Sequence, residues 1–239
     1  MPGYETAVVR LRVAAGKSTA GVGLLVGTGQ VVTCAHVVNG CLGRKQRAQD
    51  QPSELDLVQV EFPFLGRPVR EARVVAWRPP AVSGVGAGDL AGLELTEKAP
   101  AAAVPARFAE GVAVGSRLRV YGYPQKPPRP EGVWVDLDLK GEVASGRLQV
   151  ESRTDQTVKA QPGFSGSPVW DHSSGRAVGL LTGTAYDDEP ARDAYLLPAM
   201  TVAEAWEEQF DYLLVPANPY RGWNPSPPTM LAVKGSSPR

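Results

Sequence analysis

Cysteine and histidine are the scarcest chemically useful residues in this chain. Among 239 residues there are only two cysteines, Cys34 and Cys41, and two histidines, His36 and His172. Two cysteines cannot build a disulfide framework, so both are expected as reduced thiols in a cytoplasmic protein. At these spacings the four residues make no zinc ligand set, and neither a metal nor a cofactor is expected. An excess of one charge is also missing: Lys plus Arg and Asp plus Glu each number 25, for a formal net charge of zero. No basic surplus is available to neutralise a phosphate backbone, so nucleic acid is not an expected partner. The cluster "GRKQR" (43–47) reads as a solvated loop. No run approaches the roughly twenty apolar residues that cross a bilayer. The opening "MPGYETAVVRLRV" lacks a basic region followed by a long apolar stretch. Neither a membrane span nor a secretory signal is expected.

What the chain has in quantity is punctuation. Glycine (26) and proline (22) are spread throughout, as turns between short strands require. Between them lie runs such as "AVVRLRV", "GVGLLVG", "LDLVQVEF", "EARVVAW", "SRLRVYGY", "GVWVDLDL" and "AVGLLTGTA". Several alternate apolar and polar residues with period two, the pattern of strands with one buried face. Many such strands predict an all-β protein, a barrel or a sandwich. One segment, "AMTVAEAWEEQFDYLL" (199–214), predicts a closing helix, with Thr201 as N-cap and Glu204 at capping-box spacing. Val202, Ala205, Trp206 and Phe210 recur along its packed face. The proline-rich remainder, 215–239, predicts a linker or tail.

Chemistry concentrates at "QPGFSGSPVW" (161–170), where Ser165 stands between Gly166 and the pair Gly163-Phe164. A tight turn there can aim the N–H groups of Gly163 and Ser165 into one space, where they stabilise the oxyanion of a tetrahedral intermediate. A surface turn could use the same residues without chemistry. A serine hydroxyl needs a base, and the chain offers two histidines. His172 falls in "DHSSG", a hairpin turn, whereas in "GQVVTCAHVV" a strand of apolar residues ends in small residues and His36. The third member must orient the imidazole. Asp89 in "GAGDLAGLEL" follows a glycine-rich approach, while the competing Asp56 in "SELDLVQV" reads as the exposed side of an alternating strand. Each candidate alone has a structural explanation; His36, Asp89 and Ser165 together read as one site.

Four pieces, "GVGLLVGTGQVVTCAHVV", "GDLAGLEL", "YGYP" and "QPGFSGSPVWDHSSGRAVGLLTG", resemble the trypsin-like, chymotrypsin-fold serine peptidases. The bacterial intracellular and high-temperature-requirement-like branch is the most similar. The resemblance covers about residues 5–210. It implies two antiparallel six-stranded β-barrels with a C-terminal helix: barrel one over about 4–108, barrel two over about 112–198 and the helix over about 201–212. It also implies a serine endopeptidase in which Ser165 attacks, His36 transfers the proton, Asp89 orients His36, and Gly163 and Ser165 form the oxyanion hole. The substrate would be a protein or peptide, paired as an added strand on Leu181, Thr182 and Gly183. A latent or non-catalytic peptide-binding module on the same fold is the alternative. An esterase is less consistent, since no G-x-S-x-G elbow is present.

The chain departs from that pattern in places. "GRKQRAQDQPSE" enlarges the loop between His36 and Asp89, and Gly92 stands where a bulkier residue is usual. Lys159 falls where the family often sets the floor of the primary specificity pocket; there it disfavours basic substrate residues, or else it points to solvent. The terminal "NPYRGW" resembles the opening of STAND-type signalling ATPase modules. No phosphate-binding loop follows it, so no nucleotide site is expected here. The resemblance implies either the stump of a longer protein or a degenerate remnant, with a STAND-type ATPase module or a regulatory partner as the expected partner.

Overall fold

Period-two patterning is what the backbone uses first. In the computed structural model, which describes residues 3–14, 18–81, 88–109, 111–184, 192–204 and 214–215, a short 3-10 turn (Gly3–Ala7) leads into β1 (Val8–Arg12). Strands β2 (Thr19–Leu25) and β3 (Gln30–Thr33) follow, then helix α1 (Ala35–Cys41), β4 (Val58–Glu61), β5 (Val69–Arg78) and β6 (Leu90–Leu95). They hydrogen-bond in the order β1-β2-β3-β6-β5-β4, and β4 pairs back onto β1 to close a barrel. Closure leaves no exposed edge, which is how an antiparallel sheet of this size avoids pairing with other chains.

The second barrel repeats the plan. After β7 (Phe108–Ala109) come β8 (Arg117–Gly122), β9 (Val133–Glu142), β10 (Leu148–Ser152), β11 (Pro168–Asp171), β12 (Ala177–Thr184) and β13 (Asp193–Pro198). The order β11-β8-β9-β10-β13-β12 is closed by pairing of β11 with β12. In β9, Val135, Leu137 and Leu139 are buried while the alternate residues Trp134, Asp136 and Asp138 are not. Each buried aliphatic side chain contributes about 1.5–3 kcal/mol relative to exposure. The chain continues through α2 (Ala199–Glu204) to β14 (Leu214–Val215), which lies parallel to β7. Two six-stranded antiparallel barrels and a C-terminal helix are therefore present, as expected.

Four local readings need correction. His36 does not end a strand: it is the second residue of α1, a seven-residue helix too short for helical periodicity to repeat. Strand β13 was not anticipated, because adjacent Leu196 and Leu197, both buried, break the alternation. Asp56 lies outside any strand, in a turn where its carboxylate accepts from Ser53 N and Oγ, both at 2.8 Å. Helix α2 starts at Ala199, two residues ahead of the expected cap, so Thr201 is inside it. Ala205, Trp206, Phe210 and the tail from 216 lie outside the described residues. Among the described residues no helix is long and apolar enough to cross a membrane.

Candidate active site

The first barrel supplies His36 and Asp89 as a finished unit. Asp89 stands immediately before β6 with φ 75°, a left-handed conformation that aspartate tolerates better than most residues. Its amide donates to Arg78 O (3.1 Å) and Pro79 O (2.9 Å), which fixes that conformation. The carboxylate is buried, and each oxygen takes a bond from the same residue. His36 N donates to Oδ1 at 2.9 Å, and His36 Nδ1 meets Oδ2 at 2.7 Å. Cys34, the N-cap residue of α1, makes no side-chain cap bond. Asp89, from the loop just before β6, thus does what a capping side chain normally does. One carboxylate fixes both the backbone and the ring of His36, leaving Nε2 free to exchange protons.

The second barrel supplies Ser165 through backbone alone. Phe164 N donates to Gln161 O at 3.1 Å, and Gly163 has φ 104°. Proline then glycine at the two central positions of that turn is the type II preference. A second turn follows, with Ser167 N on Phe164 O at 3.0 Å. Both flanking glycines are obligatory. A Cβ on Gly163 would stand 1.9 Å from Tyr123 O, and one on Gly166 (φ 79°) would stand 2.1 Å from Val22 O. Neither the Gly163 nor the Ser165 amide donates to an acceptor among the described residues. The turn is held between the barrels: Val22 N donates to Ser165 O (2.9 Å), Gly166 N to Leu181 O (2.7 Å), and Tyr123 N to Gly163 O (3.0 Å).

His36 and Ser165 line one groove of about 210 Å³ together with Gln46, Gln161, Leu181 and Thr182; Gly183 and Pro162 complete it. Ser165 Oγ makes no hydrogen bond among the described residues. On the Ser165 side, β12 pairs with β11 only as far as Leu180, and Leu181 N donates to Ser167 O at 2.8 Å. Thr182 is the extra residue of a bulge against β13, with Oγ1 on Tyr195 O at 3.2 Å. The backbone beyond Leu181 therefore offers an edge facing the groove. Lys159 is half-buried and is not part of the groove lining. His172 is exposed in the β11–β12 hairpin.

Three contributors went unread in the sequence. Gln46 lines the groove, and Arg47 and Arg147 line a neighbouring depression. The loop that carries Gln46 is not merely solvated: buried Asn39 on α1 donates through Nδ2 to Gln46 O (3.1 Å) and Ala48 O (3.2 Å). The sequence carried no signal for this, since both the burial of Asn39 and the helix that holds it come from the structure. Arg147 had none, because only the fold brings the β9–β10 hairpin beside His36.

Cys34 Sγ, His36 and Asp89 have donor atoms within 4.8 Å of one another, close enough to share a metal ion. They are already engaged. The thiol bonds Leu181 O at 3.5 Å, and burial, reinforced by the Asp89 charge, pushes it well above the ordinary thiol range, with Arg147 opposing. A metal would have to displace both a thiol proton and the bond that orients His36.

The family model for the trypsin-like peptidase domain matches residues 21–180. No curated protein sequence matches the chain significantly. Among solved structures, the Rv3671c protease in its inactive form is similar with a TM-score of 0.60 and 22% identity, covering 87% of this chain and 91% of that one. The active form of the Rv3671c protease from M. tuberculosis gives 0.59 and 23%, covering 87% and 82%. The serine endoprotease from Yersinia pestis gives 0.60 and 16%, covering 87% of this chain and 64% of that one.

Proposed function

The chain belongs to the trypsin-like peptidase family, and from that membership we propose that it is a serine endopeptidase working through His36, Asp89 and Ser165. The observation that carries the reading is the meeting of two halves at one groove: an imidazole already bonded to a carboxylate, and a serine on a glycine-framed turn.

In the proposed reaction a protein or peptide substrate lies along the open edge of β12 as an added strand. Its carbonyl oxygen enters the space served by the Gly163 and Ser165 amides. Ser165 Oγ turns toward His36 Nε2 as the substrate enters, a contact that is often loose in the free enzyme. Oγ then bonds the carbonyl carbon while its proton passes to Nε2. Asp89 stabilises the imidazolium and holds Nδ1 as the donor to Oδ2. The tetrahedral oxyanion is stabilised by the two amides, each worth about 3 kcal/mol to the transition state. Collapse expels the amine, which takes the proton from Nε2, and water hydrolyses the acyl-enzyme by the same path in reverse. The formed type II turn supports an oxyanion hole that is ready without a partner. Coupling to a STAND-type module, as the effector of a bacterial signalling system, rests on "NPYRGW" alone.

Digestion of an unbiased peptide library, read by mass spectrometry, tests the proposal. Wild type is expected to cut, and Ser165→Ala to lose on the order of 10⁵–10⁶ in kcat. Equal cleavage by the two would remove Ser165 from the mechanism.

A further inference from the structure

The turn that carries Ser165 rests on three consecutive residues at the end of β8. Tyr121 O accepts from Ser167 Oγ at 2.7 Å. Gly122 leaves room for the Phe164 ring, since a Cβ there would stand 2.3 Å from Phe164 Cδ1. Tyr123 N donates to Gly163 O at 3.0 Å, and Tyr123 O occupies the space that a Gly163 Cβ would need. Gly163 carries one of the two amides proposed for the oxyanion hole, so the place of Tyr123 sets its aim. Tyr123 itself is one residue past β8 and past the last pair of the β8–β9 ladder, Gly122 with Val133. Pairing with β9 therefore does not fix it, and its buried side chain takes over that task.

What covers that side chain comes from the other barrel. The guanidinium of Arg10, on β1, lies over the Tyr123 ring, 4.5 Å from its centroid. The Tyr121 ring meets it edge-on, with centroids 5.5 Å apart. Arg10 is held in turn: Nε donates to Thr19 Oγ1 at 2.7 Å, and Nη1 lies 3.6 Å from Glu61 Oε1. Arg10, Glu61 and Tyr123 are all buried, and a cation over an aromatic face counts most where water is excluded. We infer that Tyr123 is a positioning residue for the oxyanion hole and that Arg10 clamps it across the seam between the barrels. The inference rests on the peptidase reading and adds to it two residues, neither of which lines the groove. Without the clamp Tyr123 drifts, and the Gly163 amide with it. The loss falls on the transition state, where that amide is used, and spares ground-state binding.

The test takes one peptide cut in the library digestion and prepares the matched aldehyde and alcohol, each ending at the cleaved carbonyl. With the aldehyde, Ser165 Oγ bonds the carbonyl carbon, the C=O π pair moves onto the oxygen in the hole, and the Oγ proton passes to His36 Nε2. The alcohol fills the groove without forming that oxyanion. Inhibition constants for both, with kcat and KM, are compared for wild type, Tyr123→Phe, Tyr123→Leu, Arg10→Lys and Arg10→Met. Inhibition constants and KM do not depend on the active fraction, so a partly misfolded preparation does not distort them. Should Tyr123→Leu not fold, the Arg10 variants carry the same comparison. In Tyr123→Leu and Arg10→Met the aldehyde should weaken about tenfold, less than loss of a whole donor, and kcat should fall by the same factor. KM and the alcohol constant should hold. Tyr123→Phe, which keeps the ring face, should stay near wild type, and Arg10→Lys should fall between. Equal weakening of aldehyde and alcohol, or an aldehyde constant unchanged in both Tyr123→Leu and Arg10→Met, overturns the positioning role and leaves the peptidase reading standing. Failure of wild type to cut any library peptide overturns both.

Discussion

The two halves of the site are built on opposite principles. In the first barrel, position comes from side-chain chemistry: the Asp89 carboxylate bonds His36 at both backbone and ring. In the second barrel, position comes from backbone conformation, two turns in succession with glycines where no Cβ fits. A proton relay needs a defined tautomer, which a carboxylate can impose. An oxyanion hole needs two N–H vectors in a fixed relation, which a hydrogen-bonded backbone turn imposes more rigidly than a rotatable side chain. The difference predicts that the halves fail in different ways.

The largest separation comes from Asp89→Asn. The amide preserves the shape but supports the wrong imidazole tautomer, and kcat should fall about 10⁴-fold. Imidazole proton resonances of His36, followed by NMR, should move with it. Gly163→Ala should cost less, about 10²–10³ in kcat, because the added Cβ displaces one oxyanion donor from its position. Its added Cβ would press on Tyr123 O, so a lower melting temperature is also expected, with the His36 resonances unmoved. If both variants shift the imidazole equally, the halves are not independent and the comparison breaks.

The smallest effect isolates the first barrel, where both thiols flank the helix that carries His36. Burial pushes the Cys41 thiol up to about 12 and raises Cys34 as well. The ordinary thiol value is near 9, so above it an unfolded chain releases both protons while the folded chain keeps them. Their contribution to stability is complete below pH 9 and is lost as pH rises from there toward 12. Each thiol accounts for up to about 1.4 kcal/mol per pH unit. Urea midpoints at pH 8, 9 and 10 should decline, and Cys41→Ser should make the decline shallower. An unchanged slope would mean that this thiol does not stay protonated in the folded protein.

Most of the barrels was legible in the sequence because strands announce themselves over few residues. The alternation in "GVWVDLDL" became β9 with the expected faces. The turn that carries Ser165 was legible for a related reason: positive φ and close backbone approach demand glycine at Gly163 and Gly166, and demands on residue type leave a mark. Helix α1 was hidden because seven residues hold fewer than two helical turns. Strand β13 was hidden by its adjacent leucines. The contributions of Gln46, Arg47 and Arg147 depend on which loops the fold brings to the groove, and that information is tertiary. A polar loop looks the same in sequence whether it faces bulk water or an active site.

The central claim is that an imidazole and a hydroxyl from different barrels act as one reacting unit. Fluorophosphonate labelling followed by peptide mapping tests it most directly. The account predicts one phosphonyl adduct, on Ser165, formed far more slowly in His36→Ala. An adduct on another residue, or labelling at full rate without the imidazole, would contradict it.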